Sequence, residues 1–114
     1  PYEGSMFTIV ATRDASLVTG GLRGLVFRST DRGASWTEVE KPVTGAIVAS
    51  TLLADGRVIL ATQEGGLLAS SDDGASFAPL PIEHPQPLSD LIEARPGELV
   101  LSGSFGLRVV PLAP

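Results

Sequence analysis

Ser29-Thr30-Asp31-Arg32-Gly33-Ala34-Ser35-Trp36 returns as Ser70-Ser71-Asp72-Asp73-Gly74-Ala75-Ser76-Phe77. Asp72 lies 41 positions after Asp31, and the same offset holds at every position of the octapeptide. Working outward, Gly24 maps onto Gly65, and the same step leads to Gly106. Downstream, Asp55-Gly56-Arg57-Val58-Ile59-Leu60 matches Pro96-Gly97-Glu98-Leu99-Val100-Leu101 at that spacing. The chain of 114 residues therefore holds three repeats of 41 residues, the first and last incomplete.

A period near 40 built from several short strands per unit is the signature of propeller blades. Helical repeats of similar length need long runs of 3.6-residue periodicity, which the 13 Gly and 9 Pro interrupt throughout. Strands are expected near 7–11, 16–20, 25–29 and 35–39, then 46–53, 57–62, 66–70 and 76–80, then 88–94, 98–102 and 107–110. Ser89 to Ala94 has the look of one helical turn, but its alignment with the middle repeat favours a strand. The apolar runs Val58-Ile59-Leu60-Ala61 and Leu99-Val100-Leu101 suit strands buried on both faces between neighbouring sheets. The expected fold is all-β: four-stranded antiparallel propeller blades within one fragment, with blades at 1–40 (partial), 41–81 and 82–114. The last blade lacks an outer strand, as in a C-terminal blade that borrows a strand from the start of a longer chain. Because exposed blade faces invite aggregation, the remaining blades are expected in the same or a separate chain, the alternative being self-assembly of this fragment into a ring.

Within the octapeptide the residue types answer a structural need. Asp31 and Asp72 accept hydrogen bonds from N–H groups of a tight turn. Gly33 and Gly74 supply the positive φ such a turn demands. Trp36 and Phe77 start the outer strand and are expected to tuck beneath the turn. Ser29 and Ser70 open the motif.

These two motifs resemble the Asp-box, or bacterial neuraminidase, repeat. The longer pattern Gly24-Leu25-Val26-Phe27-Arg28-Ser29 leading into Asp31, with Ala54-Asp55-Gly56-Arg57-Val58 leading into Gly65-Gly66-Leu67-Leu68-Ala69-Ser70, is similar to the photosystem II stability/assembly factor-like branch. That resemblance implies a seven-bladed propeller, periplasmic or otherwise exported, that aids assembly of a membrane protein complex. In bacteria outside photosynthetic organisms it implies association with a membrane exporter. Photosynthetic members hold a client peptide on an Arg-rich patch. The motif marks a fold rather than a function, since it occurs in sialidases, sorting receptors and assembly factors alike.

Composition narrows the function classes. Eight basic against 13 acidic residues leave a net charge of −5, which argues against a nucleic-acid surface. Seven of the basic residues are Arg and Lys41 is the single Lys. No Cys is present, so disulfides and thiolate metal sites are excluded. No apolar stretch approaches the ~18 residues of a membrane span, so direct insertion is not expected. The sequence begins at Pro1 without a signal-peptide core, as in a processed or trimmed product.

No catalytic constellation emerges, and neither cofactor nor metal is expected. A sialidase needs an Arg cluster, a Tyr–Glu pair and an Asp acid, yet Tyr2 is the single Tyr. Arg28 and Arg32 sit at the motif end, away from the usual propeller active site. Asp72-Asp73 is an adjacent pair in a turn, and Glu38 and Glu40 share a face of an outer strand, so both read as solvated charge. His84, the lone His, lies in Pro79-Leu80-Pro81-Ile82-Glu83-His84-Pro85-Gln86-Pro87, a rigid link between blades. Partner contacts are expected instead on the loops joining strands two to three, at Arg23, Glu64 and Phe105, and strands four to one, at Lys41, Pro42 and His84. The expected function is a non-enzymatic scaffold that binds a protein partner. The alternatives are part of a sialidase-like or other glycan-active hydrolase with its catalytic residues elsewhere, and a purely structural extracellular module.

Overall fold

The computed structural model describes residues 5–40 and 45–112. Eleven strands follow one another among them: β1 (Met6–Ala11), β2 (Leu17–Gly21), β3 (Val26–Ser29), β4 (Thr37–Glu38), β5 (Ile47–Leu52), β6 (Val58–Thr62), β7 (Leu67–Ser70), β8 (Ala78–Leu80), β9 (Leu88–Arg95), β10 (Glu98–Gly103) and β11 (Gly106–Pro111). They form three antiparallel sheets in chain order, β1-β2-β3-β4, β5-β6-β7-β8 and β9-β10-β11. The protein is all-β, with sheets that match propeller blades. The first repeat, although shorter at its start, also forms four strands. No helix among the described residues is long and apolar enough to cross a membrane.

Why the sheets stack is written in β6. Its residues alternate sides, so Val58 and Leu60 join Val18, Val26, Val39, Ile47, Leu68 and Phe77 in the core between the first two sheets. Ile59 and Ala61 point the other way, into a second core with Ala49, Leu53, Leu67, Leu88, Leu91, Leu99 and Leu101. Val58, Ile59, Leu60 and Ala61 are all wholly buried, which explains the unbroken apolar run. Each such Val, Ile or Leu contributes about 1.5–3 kcal/mol relative to exposure. The two end sheets keep apolar residues on their outward faces: Phe7 and Ile9 on β1, Ile92 on β9, Leu107 and Val109 on β11.

The 41-residue period extends to individual hydrogen bonds. Leu22 N–H donates to Ser5 O (3.0 Å), Gln63 N–H to Ala46 O (2.9 Å) and Ser104 N–H to Pro87 O (3.3 Å). These bonds tie each second-to-third-strand loop to the residue preceding its own sheet. At the other end, Thr12 N–H donates to Ser16 O and Leu53 N–H to Arg57 O, both at 2.8 Å.

Two expectations change in detail. Strands β4 and β8 are shorter than 35–39 and 76–80, because Ser35 and Ser76 are still bonded into the preceding turn. The third repeat has also lost one loop residue. Gly21 N–H donates to Leu25 O and Thr62 N–H to Gly66 O, each closing three residues, whereas Gly103 pairs with Gly106 around two. Gly106 is therefore the register counterpart of Gly66 rather than of Gly65. Arg108 then pairs with Leu101 as Leu68 pairs with Leu60. An Arg stands where the middle sheet buries a Leu.

Candidate functional site

Successive antiparallel strands place the connections at alternate ends of the sheets, so the molecule has a turn end and a loop end. At the turn end each repeated octapeptide closes on its own first residue. Ser29 Oγ accepts from the N–H of Gly33 (2.8 Å) and donates to Asp31 Oδ1 (2.7 Å). Asp31 Oδ1 accepts from Ser35 N–H (2.8 Å), and Oδ2 accepts from Ser35 Oγ (2.5 Å). The second copy repeats this through Ser70, Asp72, Gly74 and Ser76 at 2.5–2.9 Å. Arg32 and Gly33, like Asp73 and Gly74, have consecutive positive φ (61° and 91°, 58° and 86°), the pattern of a type I′ turn. Trp36 packs under its turn, with Cζ2 3.5 Å from where a Cβ on Gly33 would stand. Trp36 is half-buried, while Phe77 is buried between two sheets.

The turn end also locks the sheets to one another. Arg28 Nε donates to Asp73 O (2.9 Å), while its Nη2 reaches Ser16 Oγ (3.2 Å) and Asp14 Oδ2 (3.4 Å). Arg13 Nη2 donates to Ala54 O at 2.6 Å, and its guanidinium lies on Gly56. Glu93 continues the chain of ties, accepting from Ala54 N–H (2.7 Å) and Gly97 N–H (3.1 Å). A cleft of about 470 Å³ between these turns is lined by Arg13, Asp55, Gly56, Arg57, Ser71 and Asp73.

Electrostatics speak against a general-acid role for the aspartates of the turn end. The Ser35 hydroxyl and N–H, then Ser29, hold the Asp31 carboxyl down at about 2. Ser76, Ser70 and the Ser76 N–H hold Asp72 at about 2. Asp14 is lowered by Thr12, Ser16 and Arg28, and Asp55 by the Arg57 N–H ahead of the Arg57 and Arg13 charges. A general acid at neutral pH needs its pKa raised, and all four shifts run the other way. No group of three or more His, Cys, Asp or Glu among the described residues could hold a metal ion.

At the loop end the sequence-derived partner residues separate. Arg23 sits in a 3-10 turn (Leu22–Gly24) at φ 65°. Glu64 is exposed, and its Oε1 lies over Gly45, 2.2 Å from where a Cβ there would stand. His84 and Phe105 are brought together, lining a cleft of about 360 Å³ with Gln86, Leu107 and Arg108. Lys41 and Pro42 lie outside the described residues. What sequence reasoning missed is Arg108. Its Nη1 donates to His84 O (3.0 Å) and its Nη2 to Glu83 O, pinning the Pro-rich link to the third sheet. The displaced register is the signal that could have found it: an Arg in a strand position that elsewhere takes an apolar residue.

Solved structures share this fold. YCF48 from Cyanidioschyzon merolae superposes with a TM-score of 0.76 at 21% identity, covering 96% of this chain and 35% of that protein. Virginiamycin B lyase from Staphylococcus aureus gives 0.65 at 12% identity, covering 96% and 42%. YCF48 bound to a D1 peptide gives 0.51 at 14% identity, covering 96% and 40%. These likenesses show a β-propeller fold. The chain spans well under half of each of these proteins. No family model matches the chain, and no curated protein matches it by sequence.

Proposed function

We propose that this chain is part of an Asp-box β-propeller of the photosystem II assembly factor-like kind. In this reading it is a non-enzymatic scaffold whose loop end holds an extended segment of a protein partner. The observation that carries the reading is the cleft at the loop end. It combines an aromatic face, a histidine and an exposed leucine beside a rigid Pro-rich rim, which suits peptide capture better than chemistry. The likeness to YCF48, one structure of which holds a D1 peptide, supports a peptide partner. Assistance to a membrane protein complex, in an exported compartment, follows from the same reading. So does completion of the propeller by blades outside these residues.

The likeness to virginiamycin B lyase favours a second reading, in which catalytic residues on other blades make the whole an enzyme. One experiment separates the two. The purified chain is screened against arrayed peptides drawn from membrane proteins, and the best binders are titrated by fluorescence anisotropy. Phe105→Ala should weaken binding about tenfold, as loss of an aromatic anchor does, while Asp73→Asn at the turn end should not. Absence of any saturable binder, or equal losses at both ends, would remove the scaffold reading.

A further inference from the structure

We propose that Asp73 is a modification site, at which the second repeated turn converts its own Asp73-Gly74 bond to an isoaspartyl linkage through a succinimide. The chain has no Asn and two Asp-Gly pairs, Asp55-Gly56 and Asp73-Gly74, so one molecule holds both the reaction and its comparison. A glycine nitrogen is little shielded, because glycine has no Cβ. Whether it attacks depends on where its proton can go and whether the neighbouring carboxyl can turn toward it.

At Asp73 both conditions are met. Gly74 N–H donates to Ser70 Oγ (2.9 Å), and Ser70 Oγ donates onward to Asp72 Oδ1 (2.7 Å). The amide proton thus points at a hydroxyl whose own proton points at a carboxylate. Ser70 is 1% exposed, so bulk water does not interrupt this relay. Ser76 and Ser70 hold the Asp72 carboxyl at about 2, which keeps it charged in mildly acidic solution. The Asp73 carboxyl lines the turn-end cleft with no hydrogen bond or ion pair among the described residues. Asp55 is the reverse case. Arg57 N–H (3.0 Å) and Nε (2.9 Å) hold its two oxygens, and Gly56 N–H donates to Leu53 O (2.9 Å), a carbonyl with no proton to pass on. The first turn has the relay, Gly33 N–H to Ser29 Oγ to Asp31 Oδ1, but Arg32 precedes its glycine and offers no carboxyl.

In the reaction, Gly74 N bonds to Cγ of the protonated Asp73 side chain while the amide proton passes to Ser70 Oγ and the Ser70 proton to Asp72. The Cγ–OH bond breaks, and the hydroxide takes that proton and leaves as water. Water then adds back to the ring. Opening between Gly74 N and the Asp73 main-chain carbon leaves the isoaspartyl link, with mass unchanged and nothing oxidised or reduced. The main chain is now one atom longer, and the carbonyl that accepted from Arg28 Nε (2.9 Å) no longer belongs to it. Gly74, packed against Val18, has no room for the longer link. The modification therefore unfastens the second sheet's turn from the first sheet, and the loop end takes no part in it.

The test uses the intact 114-residue protein, kept warm in mildly acidic buffer with and without urea, then digested. Electron-transfer fragmentation distinguishes isoaspartyl from aspartyl peptides. In the folded protein, isoaspartate should form about tenfold faster at position 73 than at position 55, a modest share of what a positioned proton acceptor contributes. In urea the two rates should converge. Arg32→Asp gives the first turn a carboxyl before Gly33, and isoaspartate should then form at position 32 at a rate comparable with position 73. Folded protein that reacts no faster at 73 than at 55 would overturn the proposal. So would a rate ratio that persists in urea, or no product at position 32 in the variant.

Discussion

Gly74 sits against Val18: a Cβ on Gly74 would come within 2.4 Å of Val18 Cγ2. The turn of the second sheet thus rests directly on the core strand of the first. Its counterpart Gly33 meets nothing nearer than Trp36 at 3.5 Å. Both glycines have positive φ, 86° and 91°.

Two glycines with one backbone conformation and different neighbours make a matched pair. Gly33→Ala should cost about 1–2 kcal/mol, the penalty of a left-handed conformation for an L residue. Gly74→Ala should cost that plus a further ~1–3 kcal/mol of overpacking. Urea unfolding of the two variants measures the gap, and equal losses would show that the turn does not bear on Val18.

Arg28 predicts a larger effect than an ordinary surface arginine. Its side chain is 20% exposed and bonds Asp73 O of the neighbouring sheet. Arg28→Ala should destabilise by about 1.5–3 kcal/mol, the usual worth of a hydrogen bond to a charged group. Arg95→Ala is the control. Arg95 is 75% exposed and pairs with Glu98, and such exposed pairs are worth about 0–1 kcal/mol.

Acid should loosen the turns in a defined window. Asp31 and Asp72 have folded pKa values of about 2, below the ordinary value of 3.8. A depressed carboxyl pKa gives stability that is fully present above the unfolded value and lost as pH falls through the folded one. Thermal melting should therefore be insensitive to these two groups above about pH 5 and fall between about pH 4 and pH 2. The double variant Asp31→Asn with Asp72→Asn should be less stable near neutrality and should flatten that slope. An unchanged slope would mean that the bonds to Ser35 and Ser76 do not hold the carboxylates.

The cores give a plain packing test. Leu60→Ala removes a wholly buried side chain and should cost about 2–5 kcal/mol. Ile92→Ser on the outward face, 56% exposed, should change the stability of the isolated chain by no more than about 0.5 kcal/mol. Within a longer protein that covers this face, the same change should become costly. Comparing Ile92→Ser in both contexts reads that coverage directly.

The period of 41 made most of the fold legible, because every copy of an element supports the reading of the others. Even the ambiguous stretch from Ser89 to Ala94 reads as a strand on that ground, and it lies in β9. The single-residue loop deletion before Gly106 broke the same logic. A constant offset assumes a constant loop, so it hid that Arg108 occupies a Leu68-like position. The ties between sheets were beyond a reading of local pattern. Arg13 binds the carbonyl of Ala54, its own equivalent in the next repeat, and no propensity or periodicity marks such a bond. The loop-end residues were found by topology, which places Arg23, Glu64, His84 and Phe105 at one end. Topology does not show that His84 and Phe105 share a cleft, since that depends on Arg108 pinning the Pro-rich link.

The measurement that bears most directly on the scaffold reading is amide chemical-shift mapping of the chain with its best-binding peptide. The account predicts saturable shifts gathered at residues 83–86 and 104–107, around His84 and Phe105, and their loss in Phe105→Ala. Shifts gathered instead around Arg13, Asp55 and Asp73 at the turn end would contradict it.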